Sequence, residues 1–304
     1  MKRFIAIAGA LALSLTMLCA CDNSSRPADS TDYADVFIFM GQSNMAGRGD
    51  YTKAVTVGEG HAYEFRAVTD PTSLYPLAEP FGVNENVEGG ANDGTKKVDK
   101  GGLVSAFCEY YWRETGVPVI AISCSQGGTK VGEWQSGLGK LEDAQTRLQN
   151  CLYYMYSQET YTLRHVNMVW LQGESDAPHI TKDEYSEKLN NVIDGMVEAG
   201  VENCFIIQIG NYMASVNQEY HDLYLDMHKI QLQFCEENDR AVLASIKLAG
   251  MPESMMHLNN HYVQSAYNIV GKDAGTNVAH FIKTGMAPVC KPYSEADVDP
   301  ATQK

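Results

Sequence analysis

Val36-Phe37-Ile38-Phe39-Met40-Gly41-Gln42-Ser43-Asn44-Met45-Ala46-Gly47 decides how this chain is read. Side chains alternate between the two faces of a strand, so five consecutive apolar residues make both faces apolar. A strand of that kind is covered on both sides, which is the condition of a parallel sheet flanked by helices. The run stops at Gly41, and the residues after it are polar or small.

Working outward, the same pattern recurs at residues 118–122 (PVIAI), 166–171 (VNMVWL), 205–209 (FIIQI) and 241–246 (AVLASI). Helical spacing fills the intervals. Residues 140–156 carry Leu141, Ala144, Leu148, Leu152 and Met155, and residues 182–199 carry Tyr185, Leu189, Val192, Ile193 and Met196. Further helices are expected over 102–114, within 212–238 and over 262–274. Strands alternating with helices predict an α/β fold, a three-layer α/β/α sandwich around a five-stranded parallel sheet. Ligands of such sheets bind beyond the carboxyl ends of the strands, where the first three runs end in unusual residues. Residues 57–100, rich in Gly, Asn and Asp, read as one long loop on the substrate-facing rim.

The chain has 304 residues, 44% of them hydrophobic and 20% charged, which suffices for a sizeable core. Its formal net charge of -15 and the lack of a basic run argue against nucleic acid as a partner. Lys2 and Arg3 precede an apolar stretch that ends in Leu18-Cys19-Ala20-Cys21, which resembles a bacterial lipoprotein signal. Residues 1–20 are therefore expected to be a signal peptide, Cys21 the lipidated residue, 21–33 a polar tether, and 34–304 the functional domain. The only membrane association expected is through that anchor, on a periplasmic or cell-surface face. The other cysteines are scattered through apolar segments and read as buried free thiols. No Cys or His cluster has metal-ligand spacing.

Ser43 follows the first run at a glycine-bounded turn. A serine placed there can expose its hydroxyl and aim its own N–H into the same space, as in a nucleophile elbow, although GxSxG is missing. The residues GQSNMAGRG closely resemble the first block of the SGNH/GDSL hydrolases, in the branch of sialate O-acetylesterases and acetylxylan esterases (carbohydrate esterase family six). Gln126-Gly127-Gly128-Thr129 followed by Trp134, and Trp170-Leu171-Gln172-Gly173-Glu174-Ser175-Asp176-Ala177, are similar to its second and third blocks. His261-Tyr262-Val263-Gln264, with Asn268 and Gly271, is similar to its last.

The resemblance implies a flavodoxin-like SGNH fold and a carbohydrate O-acetylesterase that needs no cofactor or metal. Ser43 would be the nucleophile and His261 its base. Backbone N–H groups of Ser43 and Gly128 and the side chain of Gln172 would form the oxyanion hole. Trp134 itself reads equally as a stacking platform for sugar or as an aromatic packed at a strand end. His257 fits no register as the base. The family commonly places Asp three residues before the base, where this chain has Leu258. Glu174 is the favoured replacement, with Asp176, Glu253 or a two-residue Ser-His arrangement left open. Other readings are a glycan-binding lipoprotein without catalysis, which Leu258 favours, and a lipase or thioesterase of the same superfamily.

Overall fold

The computed structural model describes residues 33–83, 85 and 100–298. The proposed signal, Cys21 and most of the tether lie outside the described residues. The five apolar runs are strands β1 (Tyr33–Gly41), β4 (Val119–Ser125), β5 (Thr162–Leu171), β6 (Asn203–Ile207) and β7 (Ala241–Ser245). They are mutually parallel. Between β1 and β4 come two strands that the sequence reading missed, β2 (Ala62–Phe65) and β3 (Leu74–Pro76). The sheet is thus seven-stranded, in the order β3-β2-β4-β1-β5-β6-β7, and not five-stranded. β2 runs parallel to β4, and β3 closes the edge antiparallel to β2. Both are short; β3 is partly exposed, and β2, though mostly buried, carries the ion-paired Glu64, so neither shows the two-sided apolar run of the other five. They also break up residues 57–100, read above as one loop.

Among the described residues six α-helices accompany the strands: α1 (Ser43–Ala46), α2 (Val104–Thr115), α3 (Lys140–Ser157), α4 (Lys182–Glu198), α5 (Gln218–Glu237) and α6 (Gln264–Thr284). α2 packs on α6, α3 on α4, and α4 on α5, so helices flank the sheet on both faces. α6 extends ten residues past the expected end. Its Gly271 and Gly275 lie against the backbone of α2, where an added Cβ would stand 2.2 Å from the Leu103 carbonyl oxygen and 2.3 Å from that of Phe107. No side chain larger than glycine's fits such a crossing.

β1 is the central strand. Val36, Phe37, Ile38, Phe39 and Met40 are each at most 1% exposed, and burying such side chains is worth about 1.5–3 kcal/mol apiece. Phe37 and Phe39 meet Phe107 edge-on from α2. Asp35, fully buried at the start of β1, accepts from Arg164 of β5 and from the Tyr111 hydroxyl of α2. That pairing gives a buried carboxylate the partners it requires.

Candidate active site

Register gathers the motifs. Gly41 at the end of β1 stands opposite Ser125 of β4 on one side and Leu171 of β5 on the other. Ser43 lies two residues beyond Gly41, Gly128 three beyond Ser125, and Glu174 three beyond Leu171. All three therefore emerge at the carboxyl edge of the same three strands. The turn into α1 depends on Gly41, whose φ is +134°. A Cβ at this position would sit 2.0 Å from the Leu171 carbonyl oxygen.

His261 comes from the other end of the chain. It opens β9 (His261–Tyr262), which pairs antiparallel with β8 (Met256–His257) in a small hairpin, with His257 directly across from His261. Leu258 and Asn259 at the hairpin's tip have φ of +53° and +55°, an unfavourable region for residues with a side chain. Among the described residues, three hydrogen bonds tie the tip to other parts of the protein. The Met213 N–H donates to the Asn259 carbonyl at 2.7 Å, the Asn260 amide donates to the Tyr224 hydroxyl at 3.1 Å, and the Asn44 amide donates to the Asn260 carbonyl at 3.1 Å.

The hairpin brings the His261 Nε2 within 2.8 Å of the Ser43 Oγ. Ser43 is 5% exposed. Burial, with the positive charge of Arg48 and then the neighbouring His257, pulls the His261 imidazole down to about 4. The ring is therefore neutral at ordinary pH, the state in which a nitrogen can take a proton from a hydroxyl.

The carboxylates named as partners for His261 are engaged elsewhere. Glu174 accepts from the Asn44 Nδ2 at 2.6 Å, not from the imidazole. Asp176 accepts from the Gln172 amide and the Val131 N–H, and Glu253 from the Ser215 N–H and hydroxyl. His261 Nδ1 is buried with no hydrogen-bond partner among the described residues. Leu258 is 65% exposed. Burial pushes the Glu174 carboxyl up to about 7 against the lowering effect of Asn44.

Gln172 does not face the serine as a free donor. Its Nε2 donates to Asp176, to the Thr129 carbonyl at 2.9 Å and to the Gln42 Oε1 at 3.2 Å. Two amide hydrogens are already shared among three acceptors. Gln42 is a second amide at the site, which the sequence reading passed over. Its Oε1 is pinned by Gln172 and by the Ser175 N–H at 3.3 Å, which turns its NH₂ away from them, in the residue next to Ser43. Gly128 has φ of +76° and open space around it. Trp134 is 2% exposed, meets Trp170 edge-on and donates its indole N–H to the Thr129 hydroxyl. Its ring is spent largely on packing. With Cys124, Ser125, Gln126, Lys140 and Arg147, Trp134 helps line a cavity of about 240 Å³ at the end of β4.

Residues 33–273 match the family model described as carbohydrate esterase, sialic acid-specific acetylesterase. No curated protein matches the chain by sequence. Among solved structures, a protein from Arabidopsis thaliana is 18% identical with a TM-score of 0.60, covering 83% of this chain and 99% of its own. NanS is 13% identical with a TM-score of 0.56, covering 84% and 99%. A carbohydrate acetylesterase from Xanthomonas citri is 16% identical with a TM-score of 0.50, covering 83% and 57%. These likenesses speak for the fold, and the family match spans most of the chain. The protein is an ester-cleaving serine hydrolase, a member of the carbohydrate esterase family of sialic acid-specific acetylesterases.

Proposed function

We propose that this protein removes acetyl groups from sugar hydroxyls by acyl transfer through Ser43, with His261 as the base. The 2.8 Å contact between the Ser43 Oγ and the His261 Nε2 carries the reading. The neutral imidazole takes the serine proton as Oγ attacks the acetyl carbonyl. Negative charge on the carbonyl oxygen is met by the N–H groups of Ser43 and Gly128 and by the Gln42 amide, in place of Gln172. As the tetrahedral intermediate collapses, His261 hands its proton to the departing sugar oxygen. A water molecule, deprotonated by the same imidazole, then attacks the acyl-serine and frees acetate.

Sialic acid or xylan-type glycans are the proposed acetylated carriers, on the strength of the family. The sequence around Cys21 supports export and attachment to a membrane through that residue. A mass spectrum of the mature N-terminus that shows an unmodified Cys21 would refute the anchor. For the chemistry, the purified chain should hydrolyse a small aryl acetate and release acetate from an acetylated sugar, while Ser43→Ala should do neither. Equal rates for the two proteins would remove the catalytic reading and favour a glycan-binding role on the same scaffold.

A further inference from the structure

Asn44 ties the serine's side of the site to the histidine's side. It is completely buried and follows Ser43 directly. Its Nδ2 donates to the Glu174 Oε1 at 2.6 Å and to the Asn260 carbonyl at 3.1 Å, and its Oδ1 accepts from the Tyr267 hydroxyl at 2.6 Å. Asn260 directly precedes His261. Two adjacent links therefore join the same two segments, Ser43 to His261 through their reacting atoms and Asn44 to Asn260 through an amide and a carbonyl.

The hairpin needs such a link, because left-handed residues at its tip give it little local preference for its shape. Glu174 supplies the other half of the grip. Its Oε1 holds one hydrogen of the Asn44 amide and the Tyr267 hydroxyl fixes the amide oxygen, so the second amide hydrogen is aimed at Asn260. The Glu174 Oε2 is buried with no partner among the described residues, so the carboxylate's one side-chain hydrogen bond among them is from Asn44. Neither group is hydrogen-bonded to the imidazole.

We propose that Asn44 is a positioning residue, oriented by Glu174, which clamps the Asn260 carbonyl and so holds His261 on Ser43. Glu174 then acts through Asn44 and not as a carboxylate on the imidazole, a role that rests on the esterase reading above. The test is a double-mutant cycle in the full chain. Asn44→Ala and Glu174→Ala should each lower kcat on the order of a hundredfold with KM unchanged, as expected when reacting groups are misplaced. The double variant should be no slower than either single one, because removing Glu174 matters only while Asn44 is there to be held. Losses that multiply, to about ten-thousandfold, would overturn the proposal.

Glu174→Gln guards against misfolding. Its amide oxygen still accepts from Asn44, so kcat should stay within about tenfold of wild type, whereas an amide in place of a carboxylate that orients the histidine costs roughly ten-thousandfold. A loss of that depth would also overturn the clamp. The same cycle can be read without any ester substrate, as the rate at which a fluorophosphonate labels Ser43. A wild type that turns over no acetyl ester would thus defeat the esterase reading, while the labelling rates would still decide the clamp.

Discussion

The two halves of the reacting pair are built in opposite ways. The serine stands on an elbow that grows out of the central strand, with fully buried residues behind it and two glycines, Gly41 and Gly47, where the backbone demands them. The histidine stands on a two-residue strand beside a tip where leucine and asparagine occupy left-handed backbone. The elbow is fixed by the core, and the hairpin by the buried Tyr262 and Met256 at its base and a few hydrogen bonds at its tip. The nucleophile's place is therefore hard to move without unfolding the protein, while the base's place can be shifted in a protein that remains folded.

The largest effect should come from the elbow itself. Gly41→Ala drives a methyl group into the Leu171 carbonyl and is expected to cost more than about 4 kcal/mol, the range of severe single substitutions. Denaturant unfolding, or failure to obtain soluble protein, would show it. A folded Gly41→Ala protein of ordinary stability would erase the contrast.

Next is Gln42→Ala. It removes the proposed donor beside Ser43 and should lower kcat by about 10²–10³-fold, with the fold intact by circular dichroism. If Gln172→Ala has the greater effect on kcat at unchanged stability, the assignment of the donor reverses.

A smaller effect is expected in the pH profile. The imidazole must be neutral to accept the serine proton, and its basicity is depressed, so activity should persist on acidification until about pH 4. His257 is one of the charges that lowers it, so His257→Gln should move the acid limb of kcat/KM upward. An unmoved limb would mean that the hairpin's cross-strand pair has no electrostatic role. Glu174, raised to about 7, should add a partial fall in kcat near that pH, because a neutral carboxyl holds the Asn44 amide less firmly. Glu174→Gln should flatten that step.

The smallest is Leu258→Gly. Glycine accepts the left-handed backbone that leucine resists, a difference of roughly 1–2 kcal/mol that its greater freedom in the unfolded chain partly offsets. The melting temperature should rise by roughly 2 °C, with kcat little changed. A falling melting temperature would show that the exposed leucine makes contacts worth more than the strain.

What the sequence displayed followed the same division. Strands buried on both faces announce themselves as apolar runs, so β1, β4, β5, β6 and β7 could be read, and Ser43 with them. β2 and β3 lie toward the edge and lack that run. His261 was identified through the register of its block, not from any physical pattern. Its surroundings could not be read in advance, because Asn260, Tyr267 and Glu174 meet Asn44 only across 130 to 223 residues of chain. Gln172 and Trp134 were placed in the correct loops, but burial turned both inward. Gln42 and Asn44 flank the serine in the very motif first quoted, yet which amide hydrogens stay free is settled by neighbours from other strands.

The crossing of α6 over α2 carries a consequence for how the molecule comes into being. α6 begins three residues after His261, and the glycine-lined crossing is what seats that helix. β1 must receive β4 and β5 before the sheet closes, and the histidine is delivered only when the final helix docks, 218 residues after the serine was made. Contacts so distant in sequence form slowly. Recovery of hydrolysis after dilution from denaturant should therefore lag behind recovery of tryptophan fluorescence, and a chain arrested before α6 should be inert however much of its sheet has formed.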